Sequence, residues 1–419
     1  MATERKVARL FKKLMDRILA GAIHRGRLRV LWPDGSATAY GDGQGTTATI
    51  KIRDEATVRR IATNPGLAIG EAYMDQGLEP VDCTIHEVLI VLMGNMDKQH
   101  IPILELNAKL GKLLRPIQQA NNAVRAKHNV AHHYDLNGRL YSLFLDRDRQ
   151  YSCAYFPRGD ETLDEAQTAK KRHIAAKLLL NRPDLTVLDI GCGWGGMAIT
   201  LAREFGAKVT GITLSEEQLA EARSRAEAAG LSDRVTFELV DYRAMDRQFD
   251  RIVSVGMFEH VGVPNYPAFF NTIKRCLRRD GVALIHSIGR FEGPGATNRW
   301  ITKYIFPGGY SPALSEVVGP LERSGMVYGD IEILRLHYAK TITHWRRRFA
   351  ANRDAIAALY DERFCRMFEF YLSGSELSFR LSDHMNFQIQ IMHHQEAAPL
   401  TRDYMFENER QTALSAAAD

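Results

Sequence analysis

The chain opens on an apolar stripe. Val7, Leu10, Phe11, Leu14, Met15, Ile18 and Leu19 recur at helical spacing, while Arg5, Lys6, Arg9, Lys12, Lys13 and Arg17 occupy the other side. This spacing predicts an amphipathic basic helix. Such a helix either docks its stripe on the protein body with its charges in water, or lies on an anionic bilayer. Residues 27–32 and 48–53 then alternate as strands, with a turn at Pro33-Asp34-Gly35, and residues 55–63 and 83–93 read as helices. The result is a small α+β unit ending near residue 105. Residues 106–127 are polar and basic with Pro116 inside, and read as a helical connector.

From about residue 131 the pattern changes to strands alternating with helices, the mark of a doubly wound α/β sheet. Strands are predicted at 186–190, 208–213, 235–240, 251–255 and 282–288, with helices at 196–205 and 216–229. A further helical stretch covers 341–372. The length of 419 residues suits two domains better than one core. The expected division is therefore 1–105, a linker at 106–130, and 131–419. A 45% hydrophobic and 25% charged composition is that of a globular chain, so disorder is expected only at the short alanine-rich tail 411–419.

Charge and cysteines narrow the setting. Residues 1–30 hold nine Lys/Arg against two Asp/Glu, and the rest of the chain is slightly acidic. A nucleic-acid binder would spread its basic charge further, whereas one basic end suits an anionic phospholipid surface. The five cysteines, Cys83, Cys153, Cys192, Cys276 and Cys365, form no close pair. That argues against a disulfide framework or a zinc knuckle and for a reducing compartment. No apolar run is long enough to span a bilayer and the first residues lack the apolar core of a signal peptide. A cytoplasmic protein is expected. His132-His133 and His393-His394 lack the Cys or carboxylate cluster of a metal site, so no metal is expected.

The first chemistry lies at Gly191-Cys192-Gly193-Trp194-Gly195-Gly196, between a predicted strand and a predicted helix. Such a turn is a ligand site at the carboxyl edge of a parallel sheet. Gly191, Gly193 and Gly196 also satisfy the G-x-G-x-x-G spacing of dinucleotide enzymes. Asp189, two residues before the first glycine, points instead to S-adenosylmethionine (SAM). The next two strands end at Thr213 and Asp241, where ribose and adenine are expected. Most SAM enzymes carry an acid at the end of the second strand, and here the chain reads Thr213-Leu214-Ser215.

Further segments are more specific. They include Tyr151-Ser152-Cys153-Ala154-Tyr155-Phe156, Thr213-Leu214-Ser215-Glu216-Glu217-Gln218, Gly256-Met257-Phe258-Glu259-His260 and His286-Ser287-Ile288-Gly289. Tyr304-Ile305-Phe306-Pro307-Gly308-Gly309 and His337-Tyr338-Ala339-Lys340-Thr341 follow. Together, over about 125–408, they resemble the bacterial cyclopropane-fatty-acyl-phospholipid synthases and the mycolic acid cyclopropane synthases. The run Gly70-Glu71-Ala72-Tyr73-Met74-Asp75 resembles the added lipid-binding domain of the phospholipid enzymes.

The resemblance implies a class I SAM-dependent methyltransferase fold, Rossmann-like, with a smaller N-terminal α+β lipid-binding domain. It implies methylene transfer from SAM to a cis double bond of a phospholipid acyl chain. Methyl or methylene branching by the same fold is the alternative. Tyr151, Ser152, Asp189, Gly191, Gly193, Thr213, Leu214, Gln218, Asp241 and Tyr242 are the expected SAM residues, and the Thr213 departure is itself a family trait. A bound bicarbonate is implied as base, held by Cys153, Glu259, His286, Tyr338 and the Ile288 backbone. Alkene methylation needs no acyl intermediate, so Cys153 is not expected to be a covalent nucleophile. Ser375 stands where some relatives carry a late cysteine. The resemblance also implies a homodimer, peripherally attached to the inner face of the cell membrane.

Overall fold

The computed structural model describes residues 2–95 and 138–418. The predicted connector at 106–127 and His132-His133 lie outside these residues. The described residues form two compact units.

The first unit contains the residues up to 95 together with Ala296–Pro307 and Ile342–Asp383. Its sheet has the order β2-β1-β3-β4, from β1 (Arg27–Leu31), β2 (Ala37–Tyr40), β3 (Thr47–Ile52) and β4 (Leu78–Pro80). β1 and β3 run parallel and the outer pairings are antiparallel. Alternation in β1 and β3 sends Leu28, Val30, Ile50 and Ile52 into one core with Val58 and Val88. Each fully buried aliphatic of this kind contributes roughly 1.5–3 kcal/mol. The unit also takes chain from beyond residue 131. The helix Glu362–Leu381 contributes Leu377 to this core, with Phe370 packed against it. The predicted helical stretch 341–372 is in fact three helices, His337–Ala351, Arg353–Leu359 and Glu362–Leu381. Asp361 starts the last by accepting from the Phe364 amide at 2.7 Å, an N-cap placement that interrupts a continuous helix.

The N-terminal helix Ala2–Ala22 divides its stripe. Met15 and Leu19 are buried in the core, with Phe11 and Leu14 packed on its rim. Tyr40 donates to Asp16 at 2.6 Å and Lys12 donates to Asp34 at 2.6 Å, which fixes this half. Val7 and Leu10 remain 43% and 63% exposed. The docking reading describes the second half of the helix and leaves the first half unaccounted for.

The second unit is built on a seven-stranded sheet of order β10-β11-β9-β8-β5-β6-β7. The strands are β5 (Thr186–Ile190), β6 (Lys208–Thr213), β7 (Val235–Leu239), β8 (Phe249–Val255), β9 (Leu277–Arg290), β10 (Val327–Ile333) and β11 (His384–Met392). From β9 to β7 every pairing is parallel. β11 is antiparallel to both β9 and β10. β5 buries both faces: Val187 enters one hydrophobic cluster, Leu188 and Ile190 the other. That explains its continuous apolar run. Because β6 lies on one side of β5 and β8 on the other, the chain order reverses here, where open α/β sheets bind ligands. The tail expected to be disordered instead belongs to a helix, Asp403–Ala418. Alanine is the strongest helix former, and the run extends a helix already begun at Asp403.

Candidate active site

The turn after β5 makes the floor of a cavity. Gly191 has φ +83°, and a Cβ there would meet Met257 Cβ at 2.7 Å. Its amide and that of Cys192 donate to Ile212 O at 2.9 and 3.0 Å, which pins the turn to β6. At Gly196 the issue is space: a Cβ would lie 2.4 Å from both Asp148 Oδ2 and Gln150 Nε2. All the residues picked from the sequence for SAM line this one cavity.

Two lining residues present unsatisfied buried atoms. Ser215 caps the helix Glu216–Ala228 by accepting from the Gln218 amide at 3.2 Å. This holds Gln218 at the cavity wall, where Thr213 Oγ1 donates to its Oε1 at 3.0 Å. Its Nε2 has no partner. Asp189 Oδ2 also has none, and burial pushes the Asp189 carboxyl up to about 7. A buried donor and a buried acceptor in one cavity fit a ligand carrying both kinds of group. Asp241 behaves otherwise. Its carboxylate accepts from Arg243 Nε at 2.8 Å and Nη2 at 2.6 Å, so its side chain is already engaged.

Glu259, His286, Cys153 and Tyr338 do not line this cavity, although Ser152 and His260, next to Cys153 and Glu259, do. Glu259 follows the end of β8, and Oε1 accepts from the Ile288 amide of β9 at 2.7 Å. The Ile288 N–H is thus engaged by Glu259 in this structure. Glu259 Oε2 is buried without a partner, and burial raises the carboxyl to about 7 against the Ile288 amide and the Ser287 hydroxyl, which pull it down. His286 sits opposite Val255 in the β8–β9 register. Its Nδ1 meets Gln388 Nε2 at 3.0 Å, and its buried Nε2 has no partner. Cys153 and Tyr338 belong to two segments tied together. The Ala154 amide donates to Thr341 Oγ1 at 3.0 Å and the Phe156 amide to His337 Nδ1 at 2.9 Å. Both Cys153 and Tyr338 are buried. Burial pushes the Cys153 thiol well up, so it stays protonated at neutral pH. A Cβ on Gly256, just past β8, would lie 4.0 Å from Ser152 Cβ, which brings this loop against the Glu259 side of the site.

These observations meet the comparisons with known proteins. Residues 121–389 match the family model for mycolic acid cyclopropane synthetase. The chain belongs to this family. Residues 12–100 match a separate domain of unknown function. A cyclopropane-fatty-acyl-phospholipid synthase of Escherichia coli is 38% identical over 82% of this chain and 87% of its own. A tuberculostearic acid methyltransferase of Mycobacterium tuberculosis is 36% identical over 88% of each. A crystal structure of mycolic acid cyclopropane synthase complexed with SAH and CTAB has 34% identity and a TM-score of 0.60. That match covers 63% of this chain and 97% of the other. The fold is therefore that of a class I SAM-dependent methyltransferase, and the chain is an enzyme of the cyclopropane synthase type.

Sequence reasoning passed over the helix Leu163–Lys177. It carries Lys170, Lys171, His173 and Lys177, and all four are buried. Lys170 Nζ donates to Gln150 Oε1 at 2.6 Å and Ser152 Oγ at 2.9 Å, directly behind the cavity wall. Burial lowers it to about 8. The available signal was the Thr162/Glu165 capping box ahead of this helix, with both reciprocal bonds formed. It marks a fixed helix but does not reveal which face is buried. His393 and His394 take separate partners, Leu277 O and Asp280 Oδ1.

Proposed function

We propose that this enzyme transfers a methylene group from SAM to the cis double bond of a phospholipid acyl chain, closing a cyclopropane ring. The observation that carries the reading is the pair of buried, unpartnered atoms at His286 Nε2 and Glu259 Oε2. The chemistry needs a methyl donor and a base. The alkene π electrons attack the SAM methyl carbon, the C–S bond breaks, SAH leaves, and positive charge develops on the neighbouring carbon. A proton then leaves the new methyl, and the C–H electron pair closes the ring.

Bicarbonate, when bound, supplies the base for that proton. Its fit rests on the donor set: a neutral imidazole N–H can donate to an anionic oxygen, while a carboxylate can accept from the ion's hydroxyl. Glu259 alone beside a carbonate-type anion would be repulsive. A hydroxyl-bearing ion removes that conflict, and an acceptor there raises basicity. Tyr338 is the further candidate donor. Cys153 remains an uncharged thiol and offers the cation no thiolate to alkylate. Gln218 Nε2 and Asp189 Oδ2 are the candidate partners for SAM, a reading supported by the SAH-bound relative.

The membrane surface enters through the first helical turns. Val7 and Leu10 are exposed beside exposed Lys6, Arg9 and Lys13, a composition suited to an anionic interface. Among the described residues no helix is long and apolar enough to cross a membrane. Methyl branching is the second reading, favoured by the tuberculostearic acid methyltransferase match over 88% of the chain. The test is SAM turnover on vesicles of anionic, cis-unsaturated phospholipid, with bicarbonate depleted and restored. The proposal expects turnover that falls on depletion and recovers on addition. Turnover indifferent to bicarbonate would remove the ion from the mechanism.

A further inference from the structure

His286 is held from behind by a chain of groups whose hydrogen-bonding direction is fixed by chemistry. Gln388 on β11 is the direct cross-strand neighbour of His286 on β9. Directly opposed residues project to the same face of a sheet, and both are buried. The Gln388 side chain has two ends, and Lys177 decides which faces which way. Lys177 Nζ lies 2.7 Å from Gln388 Oε1 and is ion-paired with Glu332. An ammonium has donors only, so the Gln388 end that meets it must be the carbonyl oxygen. The amide NH₂ then faces His286 Nδ1, at 3.0 Å. Because NH₂ is a donor only, Nδ1 must be the acceptor, and in a neutral ring the proton must sit on Nε2.

We infer that Gln388, oriented by Lys177, is a positioning residue that fixes His286 as a neutral ring with its proton on the buried Nε2. The far end of the chain is anchored as well. Glu332 Oε2 is 2.7 Å from His173 Nε2, and His173 Nδ1 pairs with Glu409. Gln390, two residues along β11, donates to Lys177 O at 2.7 Å and to Tyr404 Oη at 2.7 Å. These contacts hold Lys177 and β11 in one register. The surroundings on balance oppose a charged ring: burial first, then Lys170, Lys177 and His173, with Glu332 acting the other way. The consequence is a donor that carries no charge of its own. It can hold an anionic oxygen without competing as an acid or presenting a lone pair to a developing cation.

The consequence for turnover rests on the proposed anion-binding role of His286; the tautomer itself does not. The experiment is ring-¹⁵N NMR of the full chain with labelled histidine, the His286 signals being assigned by their loss in His286→Gln. The wild type is expected to show a neutral His286 protonated at Nε2 at pH 7. Gln388→Glu places an acceptor opposite Nδ1 and should move the proton to Nδ1. In that variant kcat on unsaturated phospholipid should fall about tenfold or more, with KM for SAM unchanged. Gln388→Met, similar in length but without either polar end, should cost less than Gln388→Glu. An Nδ1-protonated or doubly protonated His286 in the wild type would overturn the inference, even if both variants failed to fold. So would Gln388→Glu with the proton still on Nε2 and kcat unchanged. A correct tautomer combined with bicarbonate-independent turnover would keep this inference and reject the anion role.

Discussion

The glycine-turn cavity and the His286 cluster lie at neighbouring strand ends of one sheet, yet they are prepared differently. The cavity is shaped by backbone. Its turn is pinned by amides to Ile212 O, and close packing at Gly191 and Gly196 leaves no room for side chains. Its polar side chains are left open at Gln218 Nε2 and Asp189 Oδ2. The His286 cluster is shaped by side chains, with a second layer of Gln388, Lys177 and Glu332 behind the ring. One region is built to admit a large ligand. The other, on the proposed reading, holds a few atoms at a set protonation state. Damage to the first should weaken SAM binding, and damage to the second should slow chemistry while SAM still binds.

Glu259→Gln gives the largest separation of the two. It keeps the side-chain volume and removes the carboxylate. Turnover should fall about 100-fold or more with SAM affinity within about twofold, read by SAH release and calorimetry. Unchanged turnover would take Glu259 out of the mechanism. Gly196→Ala is the reverse test. Its Cβ would press on Asp148 and Gln150, at a cost of about 1–3 kcal/mol. SAM affinity should drop about tenfold or more, and an unaffected Kd would show that the turn yields without loss.

Asp189 gives the comparison a pH dependence. Its folded carboxyl titrates near 7 through burial, above its unfolded value of about 4. A raised folded pKa means that its stabilising contribution is complete below about pH 4 and is lost as pH rises through about 7. The full loss is about 4 kcal/mol. Asp189→Asn should remove that decline in denaturant titrations of the SAM-free enzyme between pH 4 and 8. Retention of the whole decline would refute the assignment. The smallest effect lies away from the sheet. Val7→Ser with Leu10→Ser should lower cosedimentation with anionic vesicles about tenfold. The melting temperature should stay unchanged, since both side chains are largely exposed.

The parallel strands, the helices 196–205 and 216–228 and the cavity residues were legible because backbone-built sites require glycines and strand ends at fixed spacing. β10 and β11 were not. β11 reads His-Met-Asn-Phe-Gln-Ile-Gln-Ile-Met, an alternation that normally sends one face to water. Here Asn386, Gln388 and Gln390 are all buried, and Lys177 lies against that face as the partner of Gln388 and Gln390. The polar strand face and the basic helix face conceal one another: each reads as solvated alone, and only their pairing shows that neither is. Residues 296–307 and 342–383 were misleading for a similar reason. Their sequence follows the second unit, but apolar positions such as Leu377 complete the core of the first.

The most direct test of ring closure is proton NMR of the lipid product. Anionic vesicles of cis-monounsaturated phospholipid are incubated with the full chain and SAM, and the lipids are extracted. Loss of olefinic protons matched by upfield cyclopropane signals, in proportion to the SAH released, is the expected result. SAH release accompanied by a new methyl doublet or an exomethylene signal, with no upfield ring protons, would contradict it.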